Sequence, residues 1–195
     1  MQHLRQGILE VYCGPMFSSK TRNLVARVDP LRWTSGQGFV FIKPRIDTRQ
    51  ERIRGDPLDY AKWNYVDTDN PSQILEFVKP EHNLVAIDEV QFFPREIMIV
   101  LEKMLKDKRN LVVAGFDLDF KGEPFGTMPQ LLAMADRITK LTAVCTECGE
   151  PATRTQRLIN GKPADYNSPL VMIEGEAQYE PRCIKHHYVP GKPSI

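Results

Sequence analysis

Three shortages narrow the reading of this sequence before any motif is considered. Basic charge is not in excess: 26 Lys and Arg stand against 25 Asp and Glu, a formal net charge of +1, with no dense basic run. A protein that binds nucleic acid chiefly by neutralising phosphates shows such an excess or stripe, so no nucleic-acid partner is expected. Long apolar runs are also missing. Nothing approaches the ~20 residues of a membrane span, and the opening MQHLRQG has no signal-peptide core. The expected location is cytoplasmic, with no membrane partner. Cysteine is scarce, four in 195 residues, and in a reducing compartment this suggests metal ligation or burial rather than disulfides. Internal repeats and low-complexity tracts are absent. The length suits one domain, or one domain with a small appendage, burying roughly 70% of its unfolded surface.

What is present begins with Gly7 to Thr21, GILEVYCGPMFSSKT. Ile8–Cys13 has the length and β-rich makeup of a buried strand, Gly14-Pro15 makes a tight turn, and Lys20-Thr21 leads into helix-compatible spacing. Strand, loop, Lys-Thr, helix is the architecture of a phosphate-binding loop. Loop amides and the first free N–H groups of the helix converge on polyphosphate there. The general pattern GxxxxGK[ST] has glycine where this chain has Ser19. An ordinary strand-turn-helix, with a capping serine and an exposed lysine, is the plainer alternative.

The predicted helix from Lys20 to Trp33 and the strand Phe39–Lys43 complete a βαβ unit, hence an α/β fold with a parallel sheet. Residues 45–63 are charged and weakly periodic, either a lid over the phosphate site or a solvated excursion. A short helix is expected from Pro71 to Val78, with Asn70 as its cap. In Asn83–Glu89 an apolar strand runs straight into two carboxylates, Asp88 and Glu89. Open α/β sheets bind ligands at that strand end. An Asp there can hold Mg²⁺ and a Glu can accept a proton. Pro94–Lys106 reads as an amphipathic helix, and Asn110–Gly115 as another buried strand. The segment Phe116–Gly126 mixes aromatics with turn formers, and its rings suit either a flat base or ordinary core.

From Arg137 the pattern turns to β, and Pro151–Leu158 is expected to pair with Ile138–Val144 as a hairpin. Cys145-x-x-Cys148 and Cys183-x-x-His186 supply three thiolates and one imidazole, the two-knuckle logic of a tetrahedral structural zinc. His187 rivals His186 as the fourth ligand. Cys13 reads as a buried strand residue.

GPMFSSKT, IDEVQFFP, FDLDFKGEPFG, and LTAVCTEC with a distal C-x-x-H together resemble the type II, zinc-containing thymidine kinase family, in order from about Gly7 to His186. The resemblance implies a RecA-like P-loop domain with flanking helices over residues 1–140. It also implies a zinc-binding β lobe over 141–195, carrying a lasso loop that closes over the nucleoside. The implied reaction transfers the ATP γ-phosphoryl group to the 5′-hydroxyl of thymidine, with deoxyuridine as a further acceptor. Glu89 would be the general base. Gly14, Pro15, Met16, Phe17, Ser18, Ser19, Lys20 and Thr21 would cradle the phosphates, with Arg49 of the Asp47-Thr48-Arg49 element nearby. Thr21 and Asp88 would hold Mg²⁺. The implied nucleoside site comprises Met16, Phe92, Phe116, Phe120, Phe125, Thr155 and Tyr179, with lasso residues Val171, Ile173 and Gly175. A homotetramer or dimer, and feedback inhibition by thymidine triphosphate, belong to the same implication. The sequence departs from the family pattern at Ser19, at Glu174 and Glu176 in the lasso, and at Arg54-Gly55-Asp56.

Overall fold

A computed structural model describes residues 7–36, 38–47, 61–172 and 177–193. Strand β1 (Leu9–Cys13) buries every second side chain completely, and α1 (Lys20–Val28) follows after a six-residue loop. Then come β2 (Gly38–Pro44), β3 (Trp63–Val66), α2 (Ile74–Phe77), β4 (His82–Ile87), α3 (Ile97–Lys106), β5 (Asn110–Gly115), α4 (Met128–Met134) and β6 (Arg137–Lys140). The six strands form one sheet in the order β3-β2-β4-β5-β1-β6, parallel at every pairing.

Parallel strands need helical crossovers, so both faces of the central strands are covered and their sequences read as continuous apolar runs. The two faces are distinct cores. On one, Leu24, Val25 and Val28 of α1 pack on Leu84, Ala86, Val112 and Ala114. On the other, Ile97, Val100, Leu101 and Met104 of α3 pack on Val85, Ile87, Leu111 and Val113. The spacing of those α3 residues puts them on one helical stripe. Because all six strands run the same way, the residues after β1, β2, β4 and β5 emerge at one sheet edge.

Two small antiparallel sheets complete the chain. β7 (Ala143–Val144) pairs with β8 (Pro151–Ala152), and β9 (Arg154–Ile159) lies between β10 (Lys162–Pro163) and β11 (Gln178–Arg182). Among the described residues no helix is long and apolar enough to cross a membrane.

Several elements differ from the sequence expectation. The first helix ends as an α-helix at Val28, because Pro30 tightens the continuation into a 3-10 turn over Asp29–Trp33. The Pro71–Val78 helix divides into a 3-10 turn and the four-residue α2, and the Asn70 side chain makes no capping hydrogen bond. The Pro94 helix begins only at Ile97. The stretch from Arg137 to Val144 is not one strand: β6 joins the large sheet, and only two residues form a hairpin with β8. The longer β9 pairs with β10 and β11 instead. Strand β3 and helix α4 were not expected at all.

Candidate active site

The β1–α1 loop is shaped by backbone constraints. Gly14 has φ 147°, and a Cβ there would lie 2.4 Å from the Leu141 carbonyl oxygen, so only glycine fits. Ser18 Oγ donates to the Pro15 carbonyl at 2.8 Å, closing the loop on itself. Phe17 and Ser19 both adopt φ 62°, a left-handed conformation. At Ser19 this explains why the general pattern has glycine at that position. Ser19 makes no side-chain cap bond, and Lys20 is only 6% exposed, so neither feature of the plainer strand-turn-helix alternative is present. The left-handed cost for a non-glycine residue is about 1–2 kcal/mol, against about 0.5–1 kcal/mol of extra unfolded-state entropy for glycine. Ser19→Gly is therefore expected to leave thermal stability unchanged or slightly raised, whereas β-branched Ser19→Val lowers it. Melting curves of the two variants check this, and a large loss in Ser19→Gly would refute it.

Side chains from four strand ends meet at this loop. Lys20 Nζ donates to the Pro15 carbonyl at 2.8 Å and sits 3.7 Å from the centroid of the Phe116 ring, just past β5. Thr21 Oγ1 donates to Asp88 Oδ2 at 2.8 Å, joining α1 to the end of β4. Lys43, at the end of β2, lies 2.7 Å from Asp47 and 3.7 Å from Asp88, and all three are buried. Sequence reading missed Lys43, since a lone lysine at a strand end carries no signal by itself.

Glu89 is 3% exposed, with φ 51°. Its Oε2 accepts from Gln91 Nε2 at 2.6 Å, while Gln91 Oε1 accepts from the Phe116 backbone N–H at 3.1 Å. Phe116 thus ties the two sides together: its ring faces Lys20 and its amide holds the residue that orients Glu89.

Beside this edge opens a cavity of about 770 Å³, within the usual range of about 300–1,000 Å³ for small-molecule sites. Met16, Phe92, Phe116, Phe120 and Phe125 line it from the large sheet, and Thr155, Val171 and Tyr179 from the C-terminal segment. The Phe92 and Phe125 rings meet edge to face, with centroids 5.8 Å apart. Thr155 Oγ1 accepts from the Met16 backbone N–H at 3.0 Å, a bond between β9 and the β1–α1 loop. Asp47 and Met172 also line the cavity, as do Arg157 and Asp119, which were not anticipated. Period-two alternation along β9 could have flagged Arg157, two residues from Thr155. Arg49, Ile173 and Gly175 lie outside the described residues, as do Glu174, Glu176 and residues 48–60.

Away from the cavity, donor atoms of Cys145, Cys148, Cys183 and His186 all lie within 4.8 Å of one another. Cys148 Sγ is 3.8 Å from Cys183 Sγ, and His186 Nδ1 is 3.7 Å from Cys145 Sγ and 3.3 Å from Cys183 Sγ. A tetrahedron with metal–sulfur bonds of about 2.3 Å and a metal–nitrogen bond of about 2.0–2.1 Å has edges of roughly 3.5–3.8 Å. The cluster could hold a metal such as zinc. Burial pushes the Cys145 thiol up, but hydrogen bonds from the Cys183, Glu147 and Cys148 backbones and from His186 outweigh it and lower its pKa to about 6. That favours the thiolate a metal requires. His187 turns away: its Nε2 lies 2.9 Å from the Phe120 carbonyl, and burial lowers its pKa. A carbonyl only accepts, so Nε2 carries the proton. Cys13 stands apart, its thiol raised to about 11 by burial first and by Asp117 second.

The thymidine kinase family model matches residues 7–188. The chain belongs to the thymidine kinase family. It is accordingly a kinase, and curated members of the family are similar to it over nearly their whole length. A thymidine kinase of Coprothermobacter proteolyticus is 45% identical over 188 residues, covering 96% of this chain and 94% of the relative. A thymidine kinase of aster yellows witches'-broom phytoplasma is 42% identical over 184 residues, covering 93% and 87%. The family match takes in the β1–α1 loop, the Asp88-Glu89 strand end, the cavity and the Cys/His cluster.

Proposed function

We propose that this thymidine kinase family member transfers the γ-phosphoryl group of ATP to the 5′-hydroxyl of thymidine, giving thymidine monophosphate and ADP. The observation that carries the reading is the shared edge. Lys20 of the loop and the buried Glu89 are both tied to Phe116, the first through its ring and the second through Gln91 and its amide, and Phe116 lines the aromatic cavity.

The amides of the β1–α1 loop, from Gly14 to Thr21, and the positive end of α1 suit the triphosphate. Lys20 would exchange its bond to the Pro15 carbonyl for the terminal phosphates. Arg49 of the Asp47-Thr48-Arg49 element would approach the same phosphates. Thr21 and Asp88, hydrogen-bonded to each other, are the residues that would hold Mg²⁺. That ion would supply screening of the phosphate charge. Glu89 takes the proton of the 5′-hydroxyl as that oxygen bonds to the γ-phosphorus. The bond from phosphorus to the bridging oxygen breaks, and ADP departs. Phosphoryl transfer needs little else from protein beyond positioning and electrostatics.

The thymine ring suits the slot among Phe92, Phe116, Phe120 and Phe125, with Val171, Ile173 and Gly175 of a lasso loop supplying backbone groups to its polar edge. A P-loop domain over residues 1–140 and a zinc lobe over 141–195 are the matching division, with zinc on Cys145, Cys148, Cys183 and His186. Acceptance of deoxyuridine, inhibition by thymidine triphosphate, a homotetramer or dimer, and a cytoplasmic location complete the reading.

A transfer assay with labelled ATP across the natural nucleosides tests it. Label is expected chiefly in thymidine monophosphate, and its absence from every nucleoside monophosphate would overturn the proposal.

A further inference from the structure

Arg157 is an unusual residue to find in the wall of a nucleoside cavity. It projects from the middle of β9 and is 3% exposed. Among the described residues it has no carboxylate within ion-pair distance. Its two terminal nitrogens donate instead to the carbonyls of Pro169 and Leu170, twelve and thirteen residues along the chain. The guanidinium lies 3.9 Å from the Phe120 ring centroid and 5.4 Å from that of Tyr179. A buried cation is costly unless its N–H groups are matched; here one loop accepts from both terminal nitrogens, while Nε has no hydrogen-bond partner among the described residues.

The loop is the one that reaches over the cavity. Its first part is tied down independently: Ala164 N–H donates to the Arg157 carbonyl, Tyr166 N–H to the Pro190 carbonyl, and Tyr166 OH to Glu123 Oε1. Beyond Ser168, the two bonds from Arg157 are the only hydrogen bonds to residues 169–172 among the described residues. Leu170, Val171 and Met172, at and directly after those carbonyls, line the cavity.

We infer that Arg157 is the positioning residue for the nucleoside. Its forked donors fix residues 169 and 170, which sets the height of 170–172 above the slot, while Phe120 and Tyr179 hold the fork in plane. Arginine is favoured because its rigid planar fork meets two carbonyls and stacks on a ring at once, whereas a lysine ammonium has three rotatable donors but no fixed fork and no planar face. The inference rests on the cavity being the nucleoside site, and it extends that reading by assigning nucleoside affinity to a side chain that need not touch the base.

Two variants, Arg157→Lys and Arg157→Met, test it by two readouts. In the free protein, the amide order parameters of residues 170–172 are expected to fall from about 0.85 towards about 0.6 in both variants. Those of β1, β4 and β5 should stay unchanged. In kinetics, the KM for thymidine is expected to rise about 10- to 100-fold, the loss of hydrogen bonds from a charged donor, with kcat and the KM for ATP within about 3-fold. Unchanged order parameters in 170–172 overturn the positioning role whatever the kinetics. A parallel rise in both KM values, or a fall in kcat alone, overturns it as a general structural defect or a catalytic one. If the wild-type protein phosphorylates no nucleoside, the functional reading fails separately, and the order parameters still decide whether Arg157 fixes the loop.

Discussion

Glu89→Gln is expected to lower kcat by about 10²–10⁴-fold, the contribution typical of a positioned general base, while both substrates still bind. The substitution changes almost nothing but basicity. Gln91 Nε2 donates to the Glu89 carboxylate at 2.6 Å, and an amide oxygen at position 89 can accept that same bond. Gln91 is itself fixed at its other end by the Phe116 N–H. The side chain should therefore keep its place in a pocket where Glu89 is already buried. Steady-state kinetics with ATP and thymidine, alongside calorimetric binding of each, make the measurement. A variant with undiminished kcat would remove Glu89 from the proton transfer, and loss of nucleotide binding would point instead to a misfolded loop.

Stripping the Cys/His cluster of metal is expected to have an effect of similar size by a different route. A structural zinc contributes on the order of 10 kcal/mol, comparable to the whole stability of a typical domain, about 5–15 kcal/mol. The sheets it would pin are small: β7 and β8 have two residues each, and their local core is Ala143, Ala152 and two of the cysteines. Cys183 directly follows β11, whose Tyr179 lies opposite Arg157 of β9. Cys183→Ser, or treatment with a strong chelator, should therefore abolish thymidine binding while the β1–α1 loop, built on the large sheet, retains affinity for ATP.

Acid acts on this site in one direction when metal is bound. Without metal the Cys145 thiol is held down at about 6 while the Cys148 thiol is raised. Protons compete with metal for the thiolates and the imidazole, and bound metal keeps the thiolates ionised below their metal-free values. Metal content measured during acidification should therefore fall at a pH below that of the metal-free Cys145 thiol. A cluster that takes up no zinc at neutral pH, or chelated protein that binds thymidine normally, would contradict a structural metal.

Much of the site was legible because its signals are local. Gly14 to Thr21 must bend back within a few residues, so glycine, serine and lysine mark it directly. An apolar run ending in Asp88-Glu89 announces a parallel strand meeting a polar edge. Two C-x-x pairs announce a four-donor cluster whatever the intervening fold. Choosing His186 over His187 was different. Both are one step apart in the chain, and only the turn after Cys183 decides which ring meets the thiols and which meets the Phe120 carbonyl.

The amino-acid sequence alone determined the parallel α/β class, the tight loop between the first strand and helix, the paired carboxylates and the cysteine framework, because each depends on residues close together in the chain. Tertiary structure decided the rest. It drew β6 into the large sheet as a partner of β1, placed Lys43 beside Asp88, and buried Arg157 between two rings beneath a loop twelve residues away. These contacts join segments distant in sequence, and their energy comes from packing and charge neutralisation in the folded chain rather than from any local preference.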